Sequence, residues 1–165
     1  MAAGETLISM DARFNTPPSS NAATFFTRNS RPILRFGPDT DSHAIFPAIM
    51  PKSYTGNGVD VILYWMSDQT AGNVMWAASF EACSPSGHDL DNDDFAQEQS
   101  QAGTAPSTSG VLTYTTISFS DGVQMDSVMA GMPFRLRVTR DADNSADTCT
   151  GQAQLLFVEV RERSA

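Results

Sequence analysis

Few residues in this chain have chemistry of their own beyond charge: two cysteines, Cys83 and Cys149, and two histidines, His43 and His88. Ser84-Pro85-Ser86-Gly87-His88-Asp89 sets hydroxyls beside an imidazole, the raw material of a nucleophile and its base. Neighbours within one loop rarely hold the mutual orientation a triad needs, and no G-x-S-x-G elbow presents a serine. The acidic run Asp89-Leu90-Asp91-Asn92-Asp93-Asp94 offers carboxylates to Ca²⁺, which takes about six to eight oxygen ligands, although such runs are in general solvated loops. Asp141 to Asp147 alternates oxygen donors like the start of an EF-hand loop. Ala146 stands where that loop needs its turn glycine and Gln152 where it needs its closing glutamate, so the stretch reads as a connection between strands.

Paired carboxylates for glycoside hydrolysis are available in so acidic a chain, but nothing selects one pair. There is no phosphate-binding loop, dinucleotide fingerprint, Cys/His zinc spacing or catalytic-cysteine context. No catalytic, metal-binding or cofactor-binding residue is therefore assigned, and the chain is expected to bind without a cofactor and not to act as an enzyme. Trp65, Trp76, Tyr54, Tyr64 and Tyr114 would supply an aromatic platform for a sugar or another ligand. Trp76 falls on a core-facing set, and Tyr54, in the Gly-rich turn Tyr54-Thr55-Gly56-Asn57-Gly58, is the better-exposed candidate.

Positioning any of these falls to short strands. In Asn73 to Ala82 the set Val74, Trp76, Ala78 and Phe80 faces a core, and Asn73, Met75, Ser79 and Glu81 face water. Phe134, Leu136 and Val138 alternate with Arg135, Arg137 and Thr139 in the same way. The segment Ala153 to Arg161 buries Leu156, Val158 and Val160. Further strands are expected at Pro32–Phe36, His43–Met50, Gly58–Met66 and Gly110–Phe119, with another around Thr6–Met10 and a helical turn at Met125–Ala130. Pro51–Asn57, His88–Asp94 and Glu98–Gly110 read as loops. Seven or eight short strands without a long helical period predict an all-β fold: a single antiparallel β-sandwich, jelly-roll-like.

The 165 residues suit one domain, taken as residues 31–165, preceded by an N-terminal strand or arm over residues 1–30 that Pro17 and Pro18 interrupt. Nineteen acidic against ten basic residues give a formal charge of −9, which repels phosphate backbones, so nucleic acid is not expected as a partner. No apolar stretch approaches the roughly 20 residues needed to cross a bilayer, so no membrane is expected either. The start lacks the basic and apolar regions of a secretory signal, which makes the cytoplasm the expected site of synthesis. Two distant cysteines suit free thiols better than a disulfide framework.

Thr27-Arg28-Asn29-Ser30-Arg31-Pro32, the stretch from Ala44-Ile45-Phe46 through Met66, and Met125 through Asp143 make the chain resemble small β-sandwich virion accessory proteins of tailed bacteriophages. The resemblance spans roughly residues 24–162. It rests on the turn Pro51, Tyr54, Gly56 and on the strands Leu63-Tyr64-Trp65-Met66 and Phe134 to Asp141. It implies a structural protein of the virion head surface, made in the cytoplasm of a bacterial host. Such a protein would be a decoration or cement protein, often a homotrimer, bound to the major capsid protein. The alternative it implies is a tail or head-fibre module that binds host-surface carbohydrate or a receptor.

Overall fold

In the computed structural model, which describes residues 4–165, period-two alternation becomes ten strands. They are β1 (Thr6–Asp11), β2 (Thr24–Arg28), β3 (Arg31–Phe36), β4 (Ser42–Ile49), β5 (Val59–Ser67), β6 (Asn73–Ala82), β7 (Gln99–Thr104), β8 (Thr113–Phe119), β9 (Pro133–Arg140) and β10 (Ala153–Glu162). One sheet runs β2-β3-β10-β5-β8 and the other β4-β9-β6-β7, all antiparallel. β10 serves two partners on one edge: Ala153–Leu155 pair with β3, and Phe157–Arg161 pair with β1. From β3 onward every connection except β6–β7 crosses between the sheets, the wrapping habit of jelly rolls.

Ten strands exceed the seven or eight expected because β2 and β7 escape period-two reading. β7 has the sequence Gln99-Ser100-Gln101-Ala102-Gly103-Thr104, with hardly an apolar side chain, and lies in the segment read as a loop. Thr6–Asp11 and Thr24–Arg28 pair inside the six-stranded sheet, so these parts of the expected 1–30 arm are strands of the sandwich. Residues 1–3 of that arm lie outside the described residues. The turn expected at Met125–Ala130 is a single 3-10 turn slightly earlier, at Val123–Met125.

Between the sheets, Trp65 of β5 and Trp76 of β6 meet edge to face at 5.7 Å, and Phe36 meets Trp76 at 5.0 Å. Phe80 and Phe119 repeat the geometry at 4.8 Å. Each such pair adds about 0.5–1.5 kcal/mol to the burial of its rings. Trp65 donates its indole N–H to Thr115 Oγ1 at 2.9 Å. Gly103 of β7 lies directly over this pair: a Cβ there would come within 2.2 Å of Thr115 Oγ1 and 2.9 Å of Trp65 Cζ2. Only glycine lets β7 approach so closely.

The last residue of β9, Arg140, is a fully buried charge with every N–H used. Nε and Nη2 donate to the two oxygens of Asp147 at 2.9 and 2.7 Å. Nη1 donates to the carbonyls of Phe36 and Gly151 at 3.1 and 2.6 Å, and Nη2 to that of Cys149 at 2.6 Å. Such a charge is tolerable in the interior only when completely paired. The network explains the EF-hand-like loop: Asp147 binds a guanidinium and the Met75 amide, at 3.0 Å.

Two faces expected to be wet differ from expectation. On the four-stranded sheet Ser79, Glu81 and Thr139 are buried. The segment after β6 folds back over them and places Phe95 between Arg135 and Arg137, whose guanidinium carbons lie 4.9 and 4.6 Å from the ring centre. Arg135 pairs with Glu81 of its own sheet at 2.9 Å. In β10 a bulge at Leu156 moves Leu155 into the core and turns Leu156 outward, where it packs with Ile33 and Met66.

Candidate binding face

Part of the outer face of the six-stranded sheet stays open, and register assembles a row of rings across it. Phe157 of β10 lies opposite Tyr64 of β5, and Tyr64 lies opposite Tyr114 of β8. Side chains facing one another across antiparallel strands are near neighbours, so the three rings line up across the sheet over roughly 10 Å. Tyr64 and Tyr114 have ring centres 6.2 Å apart and tilted planes. Tyr114 is 66% exposed and Phe157 45%, high values for such residues in a folded sheet. Leu112, also exposed, borders the row from the loop before β8.

The neighbouring rows are polar. Glu159 lies opposite Ile62, which faces Thr116, and Arg161 lies opposite Asp60, which faces Ser118. Glu159 is nearly buried and accepts from Tyr64 Oη at 2.8 Å, from Arg161 Nη2 at 3.1 Å and from the Thr6 hydroxyl. Burial pushes its carboxyl up, but the bonds from Thr6 and Tyr64 and the charge of Arg161 outweigh this and hold it below its ordinary value. The bond to Glu159, then burial, pushes the Tyr64 hydroxyl up, so Tyr64 stays a neutral donor. Two open depressions on this face share Tyr64: one of about 570 Å³ is lined by Thr6, Ser9, Tyr64, Leu112, Phe157 and Glu159, and another by Ile62, Tyr64, Tyr114, Thr116 and Arg161. Apolar rings flanked by fixed charged acceptors and donors suit a ligand with apolar faces and hydroxyl edges.

Of the five aromatic candidates in the sequence, the structure brings together Tyr64 and Tyr114. Trp65 and Trp76 are core residues, and Tyr54 is 6% exposed, with its hydroxyl donating to Asp121 at 2.7 Å and accepting the Gly58 amide at 3.0 Å. Phe157 was missed although alternation with Leu156, Val158 and Val160 already places it outward, because its neighbours Tyr64 and Tyr114 become apparent only in the strand register.

Ser84 and His88 form no nucleophile and base. Ser84 Oγ lies 3.2 Å from Ser86 Oγ, while His88 faces Glu81 and Asp93. His43 Nδ1 lies 2.7 Å from Thr139 Oγ1, and burial followed by the Arg137 charge holds its pKa down. Both cysteines are free thiols. In the acidic run, Asp93 caps the Asp89 amide at 2.7 Å and Asp89 caps the Asp91 amide at 3.0 Å, so these carboxylates brace a turn. Asp141 and Asp143 cluster with Asp41, whose Oδ1 accepts the Ala142 amide at 2.8 Å.

No family model matches this chain, and no curated protein sequence is significantly similar to it. Among solved structures it is similar to the CBM22-2 xylan-binding domain of Paenibacillus barcinonensis Xyn10C, with a TM-score of 0.56 and 15% identity over 94% of this chain and 99% of that one. The CBM22-1 xylan-binding domain of the same protein gives a TM-score of 0.54 and 12% identity over 100% and 99%. Likeness at this identity establishes the shared fold, an antiparallel β-sandwich of the kind found in carbohydrate-binding modules. Nothing in it points to a virion protein.

Proposed function

We propose that this chain is a non-catalytic carbohydrate-binding module whose ligand lies on the outer face of the six-stranded sheet. The observation that carries the reading is the cross-strand row Phe157, Tyr64, Tyr114 beside the charged row of Glu159 and Arg161. Sugar rings stack their apolar faces on such aromatics, while their hydroxyls exchange hydrogen bonds with fixed carboxylate and guanidinium groups. An open face admits a chain passing across it, so the ligand class is a polysaccharide and not a free monosaccharide. The fold shared with two xylan-binding domains supports the same reading and makes xylan the first ligand to try.

Affinity electrophoresis and calorimetry against soluble xylans and other β-linked glycans test it. Saturable binding is expected, weakened about tenfold by Tyr114→Ala, a change of about 1.4 kcal/mol. Folded protein that binds no glycan in the panel would overturn the reading, and full binding by both Tyr114→Ala and Phe157→Ala would overturn the choice of face.

A further inference from the structure

On the other sheet lies a second constellation, away from the aromatic row. Glu81 near the end of β6, Cys83 just beyond it and His88 in the following turn bring a carboxylate oxygen, the thiol sulfur and an imidazole nitrogen within 4.8 Å of one another. The His88 side chain is only 9% exposed, and its Nε2 is buried without a hydrogen-bond partner. Leaving a buried polar nitrogen unpaired costs about 1–3 kcal/mol, so its aim needs a cause. His88 Nε2 lies 3.4 Å from Glu81 Oε1, and Cys83 Sγ lies 3.7 Å from the same oxygen.

Those separations fit the edges of a coordination tetrahedron. With bonds of about 2.05 Å to nitrogen and oxygen and about 2.3 Å to sulfur, a four-coordinate Zn²⁺ sets its N and O ligands about 3.3 Å apart and its S and O ligands about 3.6 Å apart. The remaining groups suit a metal's outer shell. His88 Nδ1 lies 3.2 Å from Asp93 Oδ2, the carboxylate contact that orients a ligating imidazole. Arg135 Nη2 donates to Glu81 Oε2 at 2.9 Å and so fixes the carboxylate through its other oxygen. Arg135 Nε also bonds Oε1, at 2.9 Å, and would surrender that bond to the metal, keeping Oε2 from its partly exposed position. Glu81, Asp93 and a Cys83 thiolate, with Asp94 and Asp126 near by, outweigh the one positive charge of Arg135, and this excess of negative charge favours a cation.

We propose that Glu81 Oε1, Cys83 Sγ and His88 Nε2 form a Zn²⁺ site with three protein ligands. One thiolate and one imidazole favour a borderline-soft ion over Ca²⁺ or Mg²⁺. Binding displaces the thiol proton of Cys83 to solvent. The ion would join β6 to the segment that covers the four-stranded sheet, and is independent of the glycan face.

The test is titration of the chelator-treated chain with Co²⁺ and with Zn²⁺. One equivalent of Co²⁺ is expected to give tetrahedral ligand-field bands and a thiolate-to-metal charge-transfer band, bleached by Zn²⁺. Cys83→Ser should abolish the charge-transfer band and His88→Ala should weaken binding at least tenfold, while Asp143→Asn changes neither. In the unmodified protein Zn²⁺ should slow alkylation of Cys83 at least tenfold, as read by mass spectrometry, which needs no variant to fold. Absence of the charge-transfer band, or alkylation of Cys83 at the same rate with and without Zn²⁺, would overturn the proposal.

Discussion

The two outer faces of this sandwich start from similar material and end differently. Both sheets turn polar side chains outward and both have aromatic rings against them, yet on one face the chain covers these groups and on the other it leaves a row of rings exposed. Over the four-stranded sheet, Glu81 is 1% exposed and Phe95 is held between two guanidinium groups. On the six-stranded sheet, Tyr114 and Phe157 stay largely exposed. Ring and charge serve stability where the chain covers them, and remain available to a ligand where it does not.

Substitutions should separate the two faces. The largest stability loss is expected from Glu81→Ala, which strips the Arg135 guanidinium of its partner inside the roofed face. Removing one partner of a buried pair costs about 3–5 kcal/mol, and the partial exposure of Arg135 lowers this to about 2–3 kcal/mol, read as a drop in the urea midpoint. Next is Phe95→Ala, which forfeits two cation–π contacts. It should cost about 1–2 kcal/mol and speed amide exchange across Ala77 to Glu81, with glycan binding unchanged. Unaltered exchange there would mean that Phe95 does not hold the roof.

Tyr114→Ala should invert that pattern, with stability within about 0.5 kcal/mol of the parent and glycan affinity down about tenfold. A large stability loss at Tyr114 would erase the contrast between the faces. The smallest effect concerns acid. Because the Glu159 carboxyl is held below its ordinary value of 4.5, its contribution is complete above that value and is lost as pH falls through the lower folded value. Melting temperatures from about pH 5 down to pH 3 should therefore fall more steeply for the parent than for Glu159→Gln.

Eight of the ten strands and the all-β architecture were legible, from alternating apolar residues as in β6 and β9 and from the turn residues that bound the others. β7 was not, since its place is secured by Gly103 lying against Trp65 and by pairing with β6, neither of which leaves an apolar pattern. The roof was illegible for a related reason: nothing in Arg135 or Arg137 shows that Phe95, some forty residues earlier, will return to cover them. Tyr64 and Tyr114 were legible as aromatic candidates, but choosing them over Tyr54 needs the register of β5 and β8, which only pairing supplies. The Glu81, Cys83 and His88 grouping resembles no zinc pattern in sequence because one ligand is a strand carboxylate and the others number one each.

β10 has a further consequence. It lies inside the six-stranded sheet, between β5 on one edge and β1 with β3 on the other, and it is the last of the ten strands to leave a ribosome. Until it emerges, β5 lacks its main partner in that sheet, and a nascent chain exposes the apolar side of β5 to whatever surrounds it. Phe157 and Glu159 arrive on the same strand. The binding face and the sheet that bears it are therefore finished in one event, and a translation product ending before Ala153 has neither.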